Sequence, residues 1–133
     1  ATFSDSDVIL GGNDATDIDF RLGNKFALTL TDNIGGAPES INFIFPAVSG
    51  NFLLVVTQDG IGSITVASTG WQAYRYDASI ARNMLGANGT DGAIRWAGGT
   101  APTLTTTADK SDIISIYWDH DNETALATAS LNF

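Results

Sequence analysis

The chain has 133 residues, with fifteen acidic against six basic side chains, a formal net charge of −9 and no cysteine. Disulfides and thiolate chemistry are therefore excluded, and the excess of negative charge disfavours binding to nucleic acid or to anionic membrane surfaces. Charged residues make up 16% of the chain and hydrophobic residues 44%; a charged content below the usual ~25% favours contact of some apolar surface with another protein.

The N-terminal segment has the sequence ATFSDSDVIL. It lacks the basic region of a signal peptide, and no stretch of the chain reaches the ~20 apolar residues of a membrane span. We expect residues 1–10 to form an arm that adds as a strand to a neighbouring subunit or lies across it. Residues 11–133 are expected to form a single β domain. The predicted contact residues of the arm are Phe3, Val8, Ile9 and Leu10.

Three segments of alternating polarity follow: DIDFRLG, KFALTLT and INFIF. Their period of two is typical of half-buried strands. Pro46 predicts the end of the third strand, because proline cannot donate to a strand ladder. The predicted apolar faces are Ile18, Phe20 and Leu22; Phe26, Leu28 and Leu30; and Ile41, Phe43 and Phe45.

Two later segments, NFLLVVTQ (51–58) and DIISIYWD (112–119), are apolar on both faces. A strand of this kind has to be covered on both sides, which predicts two central strands. The turn DGIG predicts a hairpin between the first of them and SITVA at 63–67. The polar DHDNET predicts a second hairpin, formed with the last segment TALATASLNF.

The segment DASIARNMLG is the exception to the strand pattern. Asp77 as N-cap, Ile80 and Met84 at helical spacing and Gly86 as a stop predict one short helix near 78–85. The rest is short strands between turn residues, without a repeat register that would indicate a solenoid. The sequence therefore predicts an all-β fold, namely a single antiparallel β-sandwich or jelly-roll-like domain.

The candidates for chemistry all have simpler structural interpretations. His120, the one histidine, lies in a predicted turn between Asp119 and Asp121, and no G-x-S-x-G elbow accompanies it. The run DHDNE offers oxygen ligands for calcium, but it lacks the loop glycine and the distal glutamate, which favours turn chemistry. The glycines fit no nucleotide-binding motif. We predict no catalytic residue, no cofactor and no metal.

Aromatic side chains offer one binding alternative. Exposed tryptophan and tyrosine rings stack on sugars, although rings in strands more often fill a core. The segment WQAYRY is the strongest candidate for a glycan platform, with Trp71, Tyr74 and Tyr76 as its rings.

The segment WAGGTAPTLTTTADKSDIISIYWD (96–119) carries a family resemblance. It resembles a pattern in small β-domains of tailed-bacteriophage virion proteins, in which a Trp-x-Gly-Gly-Thr-x-Pro turn precedes a Thr-rich stretch and a strand that opens Asp-Ile-Ile-Ser. Upstream, QDGIG is similar to the Gln-Asp-Gly-x-Gly of the same domains. The likeness covers about half of the chain, from Phe52 to Phe133 with an interruption, and the connection YRYDASIARNMLGANGTDGAI between its two parts is longer than the one expected from the family. The matching residues are Gln58, Asp59, Gly60 and Gly62, and Trp96, Gly98, Gly99, Thr100, Pro102, Asp112, Ile113, Ile114 and Ser115.

The resemblance implies a non-enzymatic virion structural protein. We expect a capsid decoration (cement) protein on the outer particle surface that stabilises the shell by protein–protein contacts, as a homotrimer bound to the major capsid protein or to other virion proteins. The acidic charge fits a position away from packaged DNA. An initial alanine is what trimming of a starting methionine leaves, and we expect a small whole protein on that ground. The alternative is a glycan-binding or host-recognition domain of a tail or head fibre.

Overall fold

The computed structural model describes residues 3–9, 16–35, 40–75, 83–87 and 94–133, with the strands at 3–9 and 83–87 and Arg75 described by their backbone alone. In these ranges the protein is all-β, as predicted, with one single-turn 3₁₀ helix at Ser68–Gly70 and a tight turn at Ala97–Gly99 that contains positive-φ glycines. The strands are β1 (Phe3–Ile9), β2 (Thr16–Asp19), β3 (Lys25–Leu30), β4 (Ile41–Phe45), β5 (Gly50–Gln58), β6 (Trp71–Arg75), β7 (Asn83–Ala87), β8 (Ile94–Trp96), β9 (Ser111–Asp119) and β10 (Thr124–Ser130).

The first six strands wind as a solenoid. β1, β3 and β5 stack in parallel in one sheet, while β2, β4 and β6 stack in parallel in a second sheet. The chain passes from one sheet to the other at each step, and this winding is that of a β-solenoid. The prediction of an antiparallel sandwich or jelly roll was wrong at this level, because successive coils pair in parallel.

The coils differ in length, and this difference hides the repeat in the sequence. Ile9, Leu30 and Gln58 lie in one register, so equivalent positions are 21 and then 28 residues apart. The coils do align side chains: Asp17, Asn42 and Gln72 share a register, and Asn42 Nδ2 donates to Asp17 Oδ1 at 3.1 Å.

Four further strands extend the two sheets. β9 pairs antiparallel with both β5 and β10, and β8 adds to β10 in parallel. β7 pairs antiparallel with β6. The six-stranded sheet thus has the order β1-β3-β5-β9-β10-β8 and the four-stranded sheet the order β2-β4-β6-β7. The central position predicted for 112–119 and its hairpin with the last strand are confirmed.

The core lies between the two sheets. The inward residues of β3 are buried as predicted, and all five residues of β4 are buried before Pro46 follows that strand. Aromatic rings join the layers: Trp71 of the four-stranded sheet meets Trp96 of the six-stranded sheet with ring centroids 5.4 Å apart. This continuous cluster of buried residues packs the solenoid coils against β8, β9 and β10.

Three local predictions were wrong. SITVA forms no hairpin with β5; instead Val66 makes a parallel bridge with Ile34 of the previous coil. Leu22 is 73% exposed, because β2 ends at Asp19 and the chain turns there, with the Leu22 amide donating to the Asp19 carbonyl. In the segment predicted as a helix near 78–85, residues 83–85 belong to β7, while 78–82 lie outside the described residues.

The two-faced strands are covered on one face only. The inward side chains of β5 and β9 are buried, whereas Leu53, Val55 and Ile113 on the outer face are half-buried and Tyr117 is 43% exposed. The expectation that both faces are covered therefore fails for the six-stranded sheet. Its outer face remains an apolar and hydroxyl-bearing surface.

Candidate functional surfaces

The predicted arm is part of the domain's own sheet. The backbone of Phe3–Ile9 forms β1, which pairs in parallel with β3 from Phe3 opposite Lys25 to Ile9 opposite Leu30. β1 is the terminal strand of the six-stranded sheet, and no strand of the described residues pairs with its second edge. Three predicted contact residues, Phe3, Val8 and Ile9, thus lie on a strand with one open edge, while Leu10 lies outside the described residues.

The three rings of the predicted platform at WQAYRY have different surroundings. Trp71 is fully buried and stacks on Phe43, with ring centroids 5.8 Å apart. Tyr74 is half-buried, and its hydroxyl donates to Gln72 Oε1 at 3.2 Å. Tyr76 lies outside the described residues. Since a sugar cannot reach a ring without exposed surface, Trp71 is excluded as a stacking platform.

Gln58, the first residue of the QDGIG motif, acts as a structural clamp. It is buried, and its Nε2 donates to the carbonyls of Ile64 at 2.8 Å and Thr105 at 3.0 Å. Its Oε1 accepts from the Ile64 amide at 3.1 Å. One side chain therefore satisfies three backbone groups in two loops, and the cost of leaving such groups unpaired when buried explains the use of an amide here.

The next residues of the motif lock the same two loops together. Asp59 Oδ1 accepts from the amides of Ile61 and Gly62, both at 2.9 Å. Gly62 has φ +75°, and a Cβ there would lie 2.7 Å from the Ala108 nitrogen and 2.8 Å from the Thr106 oxygen. Only glycine fits, because both the left-handed backbone and the close approach exclude a side chain.

Asp112, which opens the Asp-Ile-Ile-Ser strand, is a buried carboxylate with two backbone donors. Its Oδ2 accepts from the Thr105 amide at 2.6 Å and its Oδ1 from the Asn132 amide at 2.9 Å. Beside it, Ser111 and Phe133 exchange backbone hydrogen bonds of 3.0 and 2.9 Å. Asp112 thus ties the Thr-rich loop and the C-terminal residues to the start of β9.

The Trp-x-Gly-Gly turn is also structural. Trp96 is buried against Trp71, and Gly98 and Gly99 take φ values of +81° and +85°. These glycines turn the chain out of β8 and into the loop that leads to β9. The motif residues with described contacts therefore fix the conformation of the loops that precede the core strand β9.

The polar run at 119–123 is a hairpin turn. Asn122 donates to both carboxylate oxygens of Asp119, from its side chain at 2.7 Å and from its amide at 3.3 Å. These hydrogen bonds hold the pKa of Asp119 below its ordinary value of 3.8, and the one from the Asn122 side chain has the larger effect. The His120 amide donates to Ser49 Oγ at 2.9 Å. This geometry confirms the predicted turn, and His120 has no nucleophile–base arrangement with Ser49.

A groove crosses the outer face of the six-stranded sheet and was not predicted. It has a volume of about 420 Å3 and runs from β3 across β5 and β9 to β10. Its floor is a cross-strand row in which Leu53 and Thr128 are both paired with Ser115. A second row, Asn51 and Leu126 on either side of Tyr117, forms its wall. These residues are far apart in the chain, so only the strand register brings them together.

The lining of the groove contains no acidic residue. Asp32, Asp59 and Asp109 lie in loops, and Asp112 points into the protein. Among the described outward positions of β3, β5, β9 and β10, only Asp119 at the end of β9 is acidic. The groove therefore has one charged lining residue, the basic Lys25, in a chain with net charge −9.

Comparison with protein-family models, with curated proteins and with solved structures found no match. The described part of the chain contains no cluster of three or more His, Asp or Glu side chains placed to hold a metal ion. None of its helical segments has the length and apolar character needed to cross a membrane.

Proposed function

We propose that the chain is a non-enzymatic bacteriophage virion structural protein, a decoration (cement) protein that binds the outer surface of the capsid and stabilises the shell. The proposal begins from the resemblance of 96–119 and QDGIG to phage virion domains. The structural role of the motif residues supports it. Gln58 and Asp112 make side-chain hydrogen bonds to backbone groups of the same domain, which is a structural role.

The single observation that carries the proposal is the open edge of β1. A terminal strand presents unpaired N–H and C=O groups, which pair readily with a strand of another chain. Among the strands that the structure describes, β1 has such an edge, whereas β3, β5 and β9 are paired on both sides. A strand of a neighbouring virion subunit can pair with an edge of this kind, which supports the proposal.

The charge supports an outer position. A protein with net charge −9 is repelled by packaged DNA and is kept soluble by the same charge before assembly. We further propose that the chain self-associates as a homotrimer when it binds the particle.

The test uses capsids of the phage that encodes the chain, stripped of this protein. Full-length chain is expected to co-sediment with the capsids at saturable stoichiometry and to raise their thermal disruption temperature. A variant lacking residues 1–10, verified to be folded by circular dichroism, is expected to lose most of this binding. Ile61→Ala, at an 87% exposed site on the loop after β5, serves as the control and is expected to keep it.

Two results would count against the proposal. Full-length chain that fails to sediment with capsids removes the decoration role itself. Wild-type binding by the folded variant without residues 1–10 leaves the role but removes the β1 edge as its contact. Light scattering of the free and capsid-released protein measures the number of subunits.

A further inference from the structure

We propose that the groove on the outer face of the six-stranded sheet binds a saccharide, with Tyr117 as its stacking ring. This inference is independent of the virion role, since it concerns a different surface from the β1 edge. It also differs from a platform at WQAYRY, where Trp71 is buried.

The shape of the groove is set by the alternation of large and small residues in register. Tyr117 and Leu126, 43% and 49% exposed, form a ridge. The adjacent row has the small Ser115 between Leu53 and Thr128, and it therefore lies lower. Because neighbouring strands are about 4.8 Å apart, a groove from β3 to β10 is roughly 14 Å long. Its volume of about 420 Å3 is within the usual range for small-molecule sites.

The chemistry of the lining matches a sugar. A pyranose has an apolar face of C–H groups and a rim of hydroxyls that both donate and accept. Tyr117 offers a rigid ring with a polar tip for the apolar face. Asn51, Ser115 and Thr128 offer neutral groups that both donate and accept. Asn51 is the cross-strand partner of Tyr117, and Ser115 and Thr128 form a pair in the adjacent row.

Other ligand classes fit less well. A nucleic acid or a phosphate ester needs several cations, whereas the net charge is −9 and the groove holds one lysine, Lys25, at its rim. A stable protein partner buries about 1,200–2,000 Å2 around apolar anchors. The exposed apolar side chains that line the groove, Tyr117 and Leu126, make a smaller patch with hydroxyls beside it.

The test is a glycan array that carries oligosaccharides of glucose, galactose, mannose and N-acetylglucosamine, followed by 1H–15N NMR titration with each array hit. We expect saturable binding with shifts confined to the amides around Tyr117. Tyr117→Ala is expected to lower the affinity roughly tenfold or more, while Tyr117→Phe keeps the ring and most of the affinity. Asn51→Ala is expected to weaken binding severalfold, and Ile61→Ala leaves it unchanged.

The inference is overturned if the wild-type protein binds none of the printed oligosaccharides, or if Tyr117→Ala binds them as tightly as wild type. It is also overturned if Tyr117→Ala instead abolishes self-association or capsid co-sedimentation, because the face is then a protein contact. Loss of sugar binding with capsid binding retained supports the saccharide site and leaves the decoration role standing.

Discussion

Phe45 and Trp118 stack almost parallel, with ring centroids 4.5 Å apart and an interplanar angle of 9°. Phe45 ends β4 in the four-stranded sheet, and Trp118 lies near the end of β9 in the six-stranded sheet. The Trp118 indole also donates from Nε1 to the Pro46 carbonyl at 2.9 Å. This pair therefore joins the two layers by a ring contact and a hydrogen bond at the same place.

Trp118→Ala is expected to lower the free energy of unfolding by about 3–5 kcal/mol, because it opens a cavity between the sheets. Trp118→Phe keeps a ring but leaves the Pro46 carbonyl without its donor, at a cost of about 1–3 kcal/mol. The matched control is Trp96→Phe, since the Trp96 Nε1 has no hydrogen-bond acceptor among the described residues. Urea unfolding measures all three, and equal losses for the two Phe variants would show that the hydrogen bond contributes nothing.

Gln58→Glu tests the clamp between the two loops. In the wild type, Gln58 Nε2 donates to the carbonyls of Ile64 and Thr105. The substitution places a carboxylate oxygen against these two acceptors. At neutral pH we expect a loss of about 3 kcal/mol, from the lost hydrogen bonds and the buried charge. Burial in the folded state raises the pKa of the new carboxyl, because it disfavours the charged form. The loss of unfolding free energy is therefore largest at high pH.

This penalty diminishes as the pH falls through the raised pKa, and it is lowest below the ordinary glutamate value of about 4.3. The measurement is the difference in unfolding free energy from wild type at each pH. Gln58→Met, which cannot titrate, is the control and is expected to show a pH-independent loss. A Gln58→Glu deficit that does not change with pH would contradict the burial of this side chain.

Gly62→Ala tests the close packing of the QDGIG turn. The left-handed φ of +75° and the approach of Ala108 and Thr106 within 3 Å both oppose a Cβ. We expect a loss of about 3 kcal/mol or more. Gly98→Ala is the control, because its φ of +81° is similar but its surroundings are open; it should cost about 1–2 kcal/mol. Similar melting temperatures for the two variants would disprove the steric part of the argument.

Asn122→Ala tests the turn between β9 and β10. The Asn122 side chain is the largest cause of the lowered pKa of Asp119, so its removal should return that pKa towards 3.8. Because the folded pKa is depressed, the turn gains stability above the ordinary value and loses it as the pH falls through the folded pKa. Carboxyl 13C NMR titration measures the change, and an unmoved Asp119 pKa would contradict it.

The sequence predicted the strands better than their connections. Alternation located β3 and β4, and apolar runs located β5 and β9, because side-chain burial leaves a local period. It did not reveal that β3 and β5 pair in parallel, since this depends on coils of unequal length. The hairpin predicted around 59–62 does not form. The segment after the turn is bound to β5 by the Gln58 side chain, which hydrogen-bonds the Ile64 backbone, and not by strand pairing.

The candidate sites show the same division. Gly98, Gly99 and Asp119 were assigned correctly to turns, because turn chemistry is local. The groove could not be found this way, as Asn51, Tyr117 and Leu126 become neighbours only through the register of three strands. A search for outward tyrosines on two-faced strands would have pointed to Tyr117. It would not have located its polar neighbours.

The antiparallel pairing of β5 with β9 has a consequence for synthesis on the ribosome. β5 ends at Gln58 and β9 begins at Ser111, so roughly 50 residues must be translated before the later strand exists. At about 5–20 residues per second this takes roughly 3–10 s, during which β5 of the nascent chain has a free apolar edge. Chaperone binding should concentrate in that interval, and truncated products that end before Ser111 are expected to aggregate.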